Sequence, residues 1–195
     1  MIQIAIGIDG NLYKQAQDAL RHLPKAADKA VARALNRALD GARTDVVKKI
    51  CAEYAIRPVD VRKALHIVRA KPDKLEARIL SSGRAIPLIR FRVSPTRPPQ
   101  QKGKKIAERR VVVAGVKFGT AEPFPYSFIA KVGNEHVGVF SRVGNTSLPI
   151  KQKYGPAIPQ MLGNEAVLKY IEEQAKGRLE RELRHQINYL FGGGK

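Results

Sequence analysis

The stretch Pro24-Lys-Ala-Ala-Asp-Lys-Ala-Val-Ala-Arg-Ala-Leu-Asn-Arg-Ala-Leu-Asp-Gly-Ala-Arg-Thr-Asp-Val-Val-Lys-Lys-Ile-Cys-Ala-Glu-Tyr54 has no proline after its first residue. Ala27, Val31, Leu35, Ala38, Ala42, Val46 and Ile50 recur in it at steps of three and four, which puts them on one face at 3.6 residues per turn. The spacing predicts one long α-helix. Pro24 suits the first turn, where its missing N–H has no partner to lose, and Gly41 is the weak interior position, costing about 1 kcal/mol relative to alanine. At a rise of about 1.5 Å per residue the helix runs roughly 45 Å, longer than a small domain is wide. It either crosses a whole sheet or projects towards a neighbouring subunit. The alanine-rich stripe lets whatever covers it approach closely.

On the N-terminal side, Ile2, Ile4, Ile6 and Ile8 alternate with smaller or polar residues, the period of a strand with one buried face. Asp9-Gly-Asn makes a turn, and Leu12 to Leu23 reads as a short helix leading into the long one. After Tyr54 a second short helix restarts at Pro58 with Val61 and Leu65 inward. The pair has the outline of a helix-turn-helix, but the first helix is too long and strand-like sequence follows at once. From His66 the period changes. Ile67 to Ala70, Leu75 to Ser81, Pro87 to Ser94, Arg110 to Lys117, Phe128 to Val132 and Val137 to Val143 are β-rich runs separated by turn formers, and the last two suggest a hairpin.

Three further segments complete the chain. Pro95 to Arg110 has little to bury and reads as a flexible arm whose Arg97, Lys102, Lys104, Lys105, Arg109 and Arg110 are candidates for polyanion contact. Residues 148–163, with three prolines, Tyr154 and Gly155, read as a rigid, extended connector rather than a regular element. Asn164 then caps a final helix reaching residue 191, striped by Leu168, Ile171, Ala175, Leu179, Leu183, Ile187 and Leu190, with Glu172 to Lys176 and Glu180 to Arg184 as i to i+4 support.

A chain of 195 residues with 44% hydrophobic content is read most simply as a single domain able to bury a core. Its apolar runs are far shorter than the roughly 18 residues of a membrane span, and no signal-peptide pattern opens it, so a membrane is not an expected partner. The formal charge of +19 is concentrated: residues 61–155 hold 20 Lys/Arg against 5 Asp/Glu. A field of one sign attracts polyanions, making nucleic acid or an acidic protein surface the natural partner.

Enzymatic chemistry finds little support. His22, His66, His136 and His185 lie apart from any metal-type spacing, and Cys51, the single cysteine, reads as a small apolar helix residue. No nucleophile elbow, dinucleotide fingerprint or phosphate loop is present, the terminal Gly-Gly-Gly-Lys included. Neither a cofactor nor a metal nor catalysis is expected.

The run Leu148-Pro-Ile-Lys-Gln-Lys-Tyr-Gly-Pro-Ala-Ile-Pro-Gln-Met-Leu162 resembles the minor tail protein Z family of lambda-like, long-tailed bacteriophages. The resemblance extends to Ala34 to Asp45, Arg57-Pro-Val-Asp-Val-Arg-Lys-Ala-Leu65, Ser82-Gly-Arg-Ala-Ile-Pro-Leu88 and His136-Val-Gly-Val-Phe140, within Leu20 to Ile187. It implies an α+β fold. In the elements read above this is a long N-terminal helix and a C-terminal helix packed on a small, mostly antiparallel β-sheet, with the basic arm as an excursion. It also implies a structural virion protein at the head-proximal end of the tail, acting in tail completion and head-tail joining, with the genome end as a candidate contact. Tail terminator, tail tube and head connector are the implied neighbours, together with copies of itself in a sixfold ring, and the host cytoplasm is the site of assembly. Tyr154, Gly155, Pro156, Pro159, Met161 and Leu162 are the candidate assembly interface. The alternative is a sequence-independent nucleic-acid-binding protein.

Overall fold

The computed structural model describes residues 1–22, 24–98, 111–133, 136–144 and 146–191. The chain begins with strand β1 (Ile2–Gly7), helix α1 (Gly10–Ala19), the long helix α2 (Pro24–Glu53) and the short α3 (Pro58–Lys63). Strands β2 (Leu65–Val68), β3 (Glu76–Ser81) and β4 (Ile86–Pro87) follow, then a 3-10 turn at Leu88–Arg90 and β5 (Arg92–Ser94). After the arm come β6 (Val112–Gly115), β7 (Glu122–Phe124), β8 (Ser127–Val132) and β9 (His136–Arg142). β10 (Ile150–Gln152), β11 (Tyr154–Gly155), α4 (Ile158–Leu162) and α5 (Glu165–Phe191) complete it.

All seven residues of the α2 stripe, Ala27 to Ile50, are buried. Its most extensive neighbour is α5, which packs along it, while β3 and α4 meet other parts of the same helix. The fold is α+β. Pairing is antiparallel in every sheet among the described residues but is divided among four small ones, ordered β1-β3-β2, β5-β6-β7, β10-β9-β8 and β11-β4. Leu35, Leu39 and Ile50 of α2, Ile79 of β3, Met161 and Leu162 of α4, and Ile171 and Leu183 of α5 are fully buried in one continuous core. Each such side chain contributes about 1.5–3 kcal/mol through removal from water.

Polar contacts fix the smaller elements onto α2. The Asn36 side chain donates to the Ala70 carbonyl and accepts from the Ala70 N–H, both at 2.9 Å, closing the end of β2 onto the helix. Arg69 forks onto both oxygens of Asp40 at 3.1 and 2.9 Å. The Tyr13 hydroxyl donates to Asp28 Oδ1 at 2.8 Å, tying α1 to α2 and raising the phenol above its ordinary range.

Several elements differ from the sequence reading. α1 ends at Ala19 rather than at Leu23. The run Pro87 to Ser94 is broken by the 3-10 turn, which drives Leu88 and Phe91 into the core. β7 passes unnoticed in sequence because Glu-Pro-Phe is short and carries a proline. Residues 148–163 are not an irregular connector, since they hold β10, β11 and α4. Among the described residues neither Glu172 with Lys176 nor Glu180 with Arg184 forms an ion pair; Glu182 instead reaches across to Arg37 on α2, at 3.3 Å.

Gly41 has a structural reason. A Cβ built there would fall on the guanidinium of Arg178, which crosses the bare helix surface to donate from Nη2 to Asp45 Oδ2 at 2.9 Å. Asp45 is 9% exposed, so it needs that partner. Gly41→Ala is therefore expected to destabilise the protein even though helix propensity alone favours alanine by about 1 kcal/mol. In an Arg178→Ala background, itself less stable by about 1–3 kcal/mol, the same substitution should become stabilising. Urea denaturation of the four proteins in the cycle reads this reversal of sign.

Candidate assembly surface

Three stretches distant in sequence meet on one side of the molecule: α3, the Ser82–Ala85 loop with β4, and the segment from β11 into α4. The pairing of β11 with β4 sets Tyr154 against Pro87 and Gly155 against Ile86. A Cβ at Gly155 would lie 2.6 Å from Cε2 of Phe91, so only glycine lets that ring pack against the backbone. These are the segments 57–65, 82–88 and 154–162 singled out in the sequence.

Where they meet, a cleft of about 360 Å³ is lined by Asp60, Lys63, Ser82, Arg84, Arg90 and Ile158, among others. Asp60 organises its charge. One of its oxygens accepts from Arg57 Nε at 3.1 Å and the other from Arg90 Nη1 at 2.6 Å, and its side chain is only 10% exposed. Three lining cations surround this one lining acid, so the cleft is electropositive. It suits a carboxylate or phosphate brought by a partner.

Tyr154 stands 53% exposed, while Gly155 and Pro156 are half-buried. Its hydroxyl donates to Gln152 Oε1 at 3.1 Å, and Gln152 Nε2 lies 2.9 Å from His136 Nε2. With the amide in that orientation, His136 accepts at Nε2 and carries its proton on Nδ1. On the same face of the β10-β9-β8 sheet, Phe140 lies against Gly138 and the Arg142 guanidinium sits 5.7 Å from the Phe128 ring centre.

The remaining residues of the expected interface are placed differently. Pro159, Met161 and Leu162 are buried in the molecule's own core, because α4 turns Ile158, Met161 and Leu162 to one side at helical spacing. They are covered within the chain instead of offering contact. Of the polyanion candidates, Arg97 is exposed just beyond β5, and Lys102, Lys104, Lys105, Arg109 and Arg110 lie outside the described residues. Elsewhere the basic excess is partly balanced, since Arg57, Arg69, Arg78 and Arg90 each hold an acidic partner. What sequence reasoning missed is the cleft, although Lys63 and Arg84 stand inside recognised segments. Among the described residues no group of three or more His, Cys, Asp or Glu side chains is placed to hold a metal ion. Cys51 is half-buried, and burial pushes its thiol up.

A family model described as prophage minor tail protein Z matches residues 12–191. The chain belongs to that family. No curated protein matches it, and no solved structure does. As a minor tail protein Z it is a structural component of a phage tail, which makes other tail proteins of the virion its partners. No helix among the described residues is long and apolar enough to cross a membrane.

The placements separate contact from bracing. Tyr154→Ala should leave the melting temperature nearly unchanged, whereas Met161→Ala should lose about 2–5 kcal/mol, the range for opening a cavity in a packed core. Thermal unfolding of the two variants beside the wild type decides it.

Proposed function

We propose that this minor tail protein Z completes the tail at its head-proximal end and helps the finished tail join the head. The observation that carries the reading is the convergence of three recognised segments on one electropositive cleft beside an exposed tyrosine. An assembly interface needs an anchor with large contact area and a few charges that fix register, and Tyr154 with Lys63 and Arg84 supplies both. The occupant of the cleft is an acidic side chain or chain terminus of a neighbour: tail terminator, tail tube or head connector. Copies of the protein stand around the tail axis in a sixfold ring, and the role is structural, without catalysis. The protein assembles in the host cytoplasm and leaves it in the virion.

Lys63→Glu combined with Arg84→Glu is expected to give a folded protein that fails to restore infectivity to phage lacking the gene, with unjoined heads and tails visible by electron microscopy. Since both side chains are exposed, the melting temperature should barely move. Normal particle yield from the double variant would remove the cleft from assembly.

A second reading, direct contact with the DNA in the tail or at its genome end, is favoured by the +19 charge and its concentration in residues 61–155. Contact through phosphates is indifferent to base sequence and weakens steeply with salt, because each neutralised phosphate releases a counterion. Neutralising Lys102, Lys104, Lys105, Arg109 and Arg110 together should flatten the salt dependence of duplex binding without altering the melting temperature. A protein that ignores duplex DNA at low salt yet binds isolated necks would leave only the acidic protein partner.

A further inference from the structure

β1 lies at the edge of its sheet, paired with β3 on one side only. Its other side opens into a groove of about 560 Å³ between β1, the start of α1 and α5. An unpaired strand edge offers a row of backbone N–H and C=O groups to any extended chain brought against it, and folded proteins blunt such edges with charge, proline or a bulge. β1 carries none of these. No charged residue or proline occurs between Met1 and Ile8, and the register with β3 runs unbroken from Ile2 opposite Ser81 to Gly7 opposite Glu76. Alternating isoleucines on an uncharged, regular edge make an aggregation site unless something covers it.

The far wall indicates what does. Ala175, Leu179 and Leu183 of α5 form an apolar floor, and beside them Glu172, Lys176, Glu180 and Arg184 line the groove. These four alternate in sign along the helix. Among the described residues none of them is ion-paired to another of the four. Half a turn about an axis between positions 176 and 180 converts the order minus, plus, minus, plus into its complement. Glu172 then faces Arg184 of the partner subunit, and Lys176 faces Glu180 of the partner subunit. A second copy satisfies the row by symmetry.

We infer that the groove receives a second copy of this chain, related by a two-fold axis, with the two β1 strands paired antiparallel. Residues opposite each other in such a pair share a face, so isoleucine must meet isoleucine. The register centred on Ala5 sets Ile4 against Ile6 of the partner subunit and Gln3 against Gly7 of the partner subunit. It uses the whole groove-lining part of β1 and produces a continuous six-stranded sheet in the order β2-β3-β1-β1-β3-β2. Neighbouring copies in a sixfold cyclic ring meet head to tail and not across a two-fold axis, so the pair is the form of the protein away from such a ring. The inference does not rest on the proposed tail role, and no residue lines both this groove and the cationic cleft.

Sedimentation velocity of the purified full chain at physiological salt, over a hundredfold range of concentration, should show monomer and dimer in exchange. Glu180→Arg places like charges across the axis twice per dimer and should weaken association about tenfold or more; adding Lys176→Glu should restore it. In a Cys51→Ala background, Ala5→Cys should cross-link two copies under mild oxidation and Gly7→Cys should not. Melting curves check that each variant folds; if Glu180→Arg does not, the Ala5→Cys cross-link decides alone. A monomer at every concentration overturns the inference. So does a dimer indifferent to Glu180→Arg that Ala5→Cys fails to link, or an open-ended assembly in place of a pair.

Discussion

Where Gly41 leaves α2 without a side chain, the Arg178 guanidinium of α5 lies against the helix and reaches Asp45 at 2.9 Å. Two helices of 30 and 27 residues approach so closely because the facing side of α2 is built from Ala27, Ala34, Ala38 and Ala42, all buried to 2% exposure or less. Small residues exchange side-chain volume for backbone proximity. Proximity in turn shields the ion pair, and shielding makes its loss costly. The seam is thus held by apolar contact along its length, by the Arg178–Asp45 pair near its middle and by the Arg37–Glu182 pair.

Everything else leans on that seam. The sheets among the described residues have two or three strands each, and sheets this small depend on an apolar face packed against something else. β3 gains its stability by turning Ala77 and Ile79 towards α2, and the end of β2 is held by Asn36 and Asp40. α4 wedges Met161 and Leu162 into the same core, which positions β11 and with it Tyr154. On the candidate assembly surface α3 is anchored inward by buried Val61 and α4 by Ile158, Met161 and Leu162, while β4 and β11 are held by pairing with each other.

The two long helices were legible in the residues because a dense stripe repeated over seven or eight turns outweighs any local exception, and the β8–β9 hairpin because Gly133 marks its turn between apolar runs. The family was legible in motifs such as Tyr154-Gly-Pro. What escaped reading was short or long-range. Ile158, Met161 and Leu162 form one helical face, but Pro156, Pro159 and Gly163 dominate that stretch and advertise irregularity. The basic excess overstated the free charge, because the acids that balance it come from other elements: Asp40 meets Arg69, and Asp60 meets both Arg57 and Arg90. The cleft, like the groove beside β1, is made by elements that tertiary packing brings together, and spacing along the chain cannot show either.

The order of elements along the chain carries a kinetic consequence. α2 is made early, yet its partner α5 follows after more than a hundred residues of intervening strands. Until α5 emerges, the alanine face of α2 has no second wall, Asp45 has no counterion and the small sheets have nothing firm to rest on. The contacts that close the core between α2 and α5 therefore join residues far apart in sequence, the kind whose loop-closure entropy must be met before they stabilise anything.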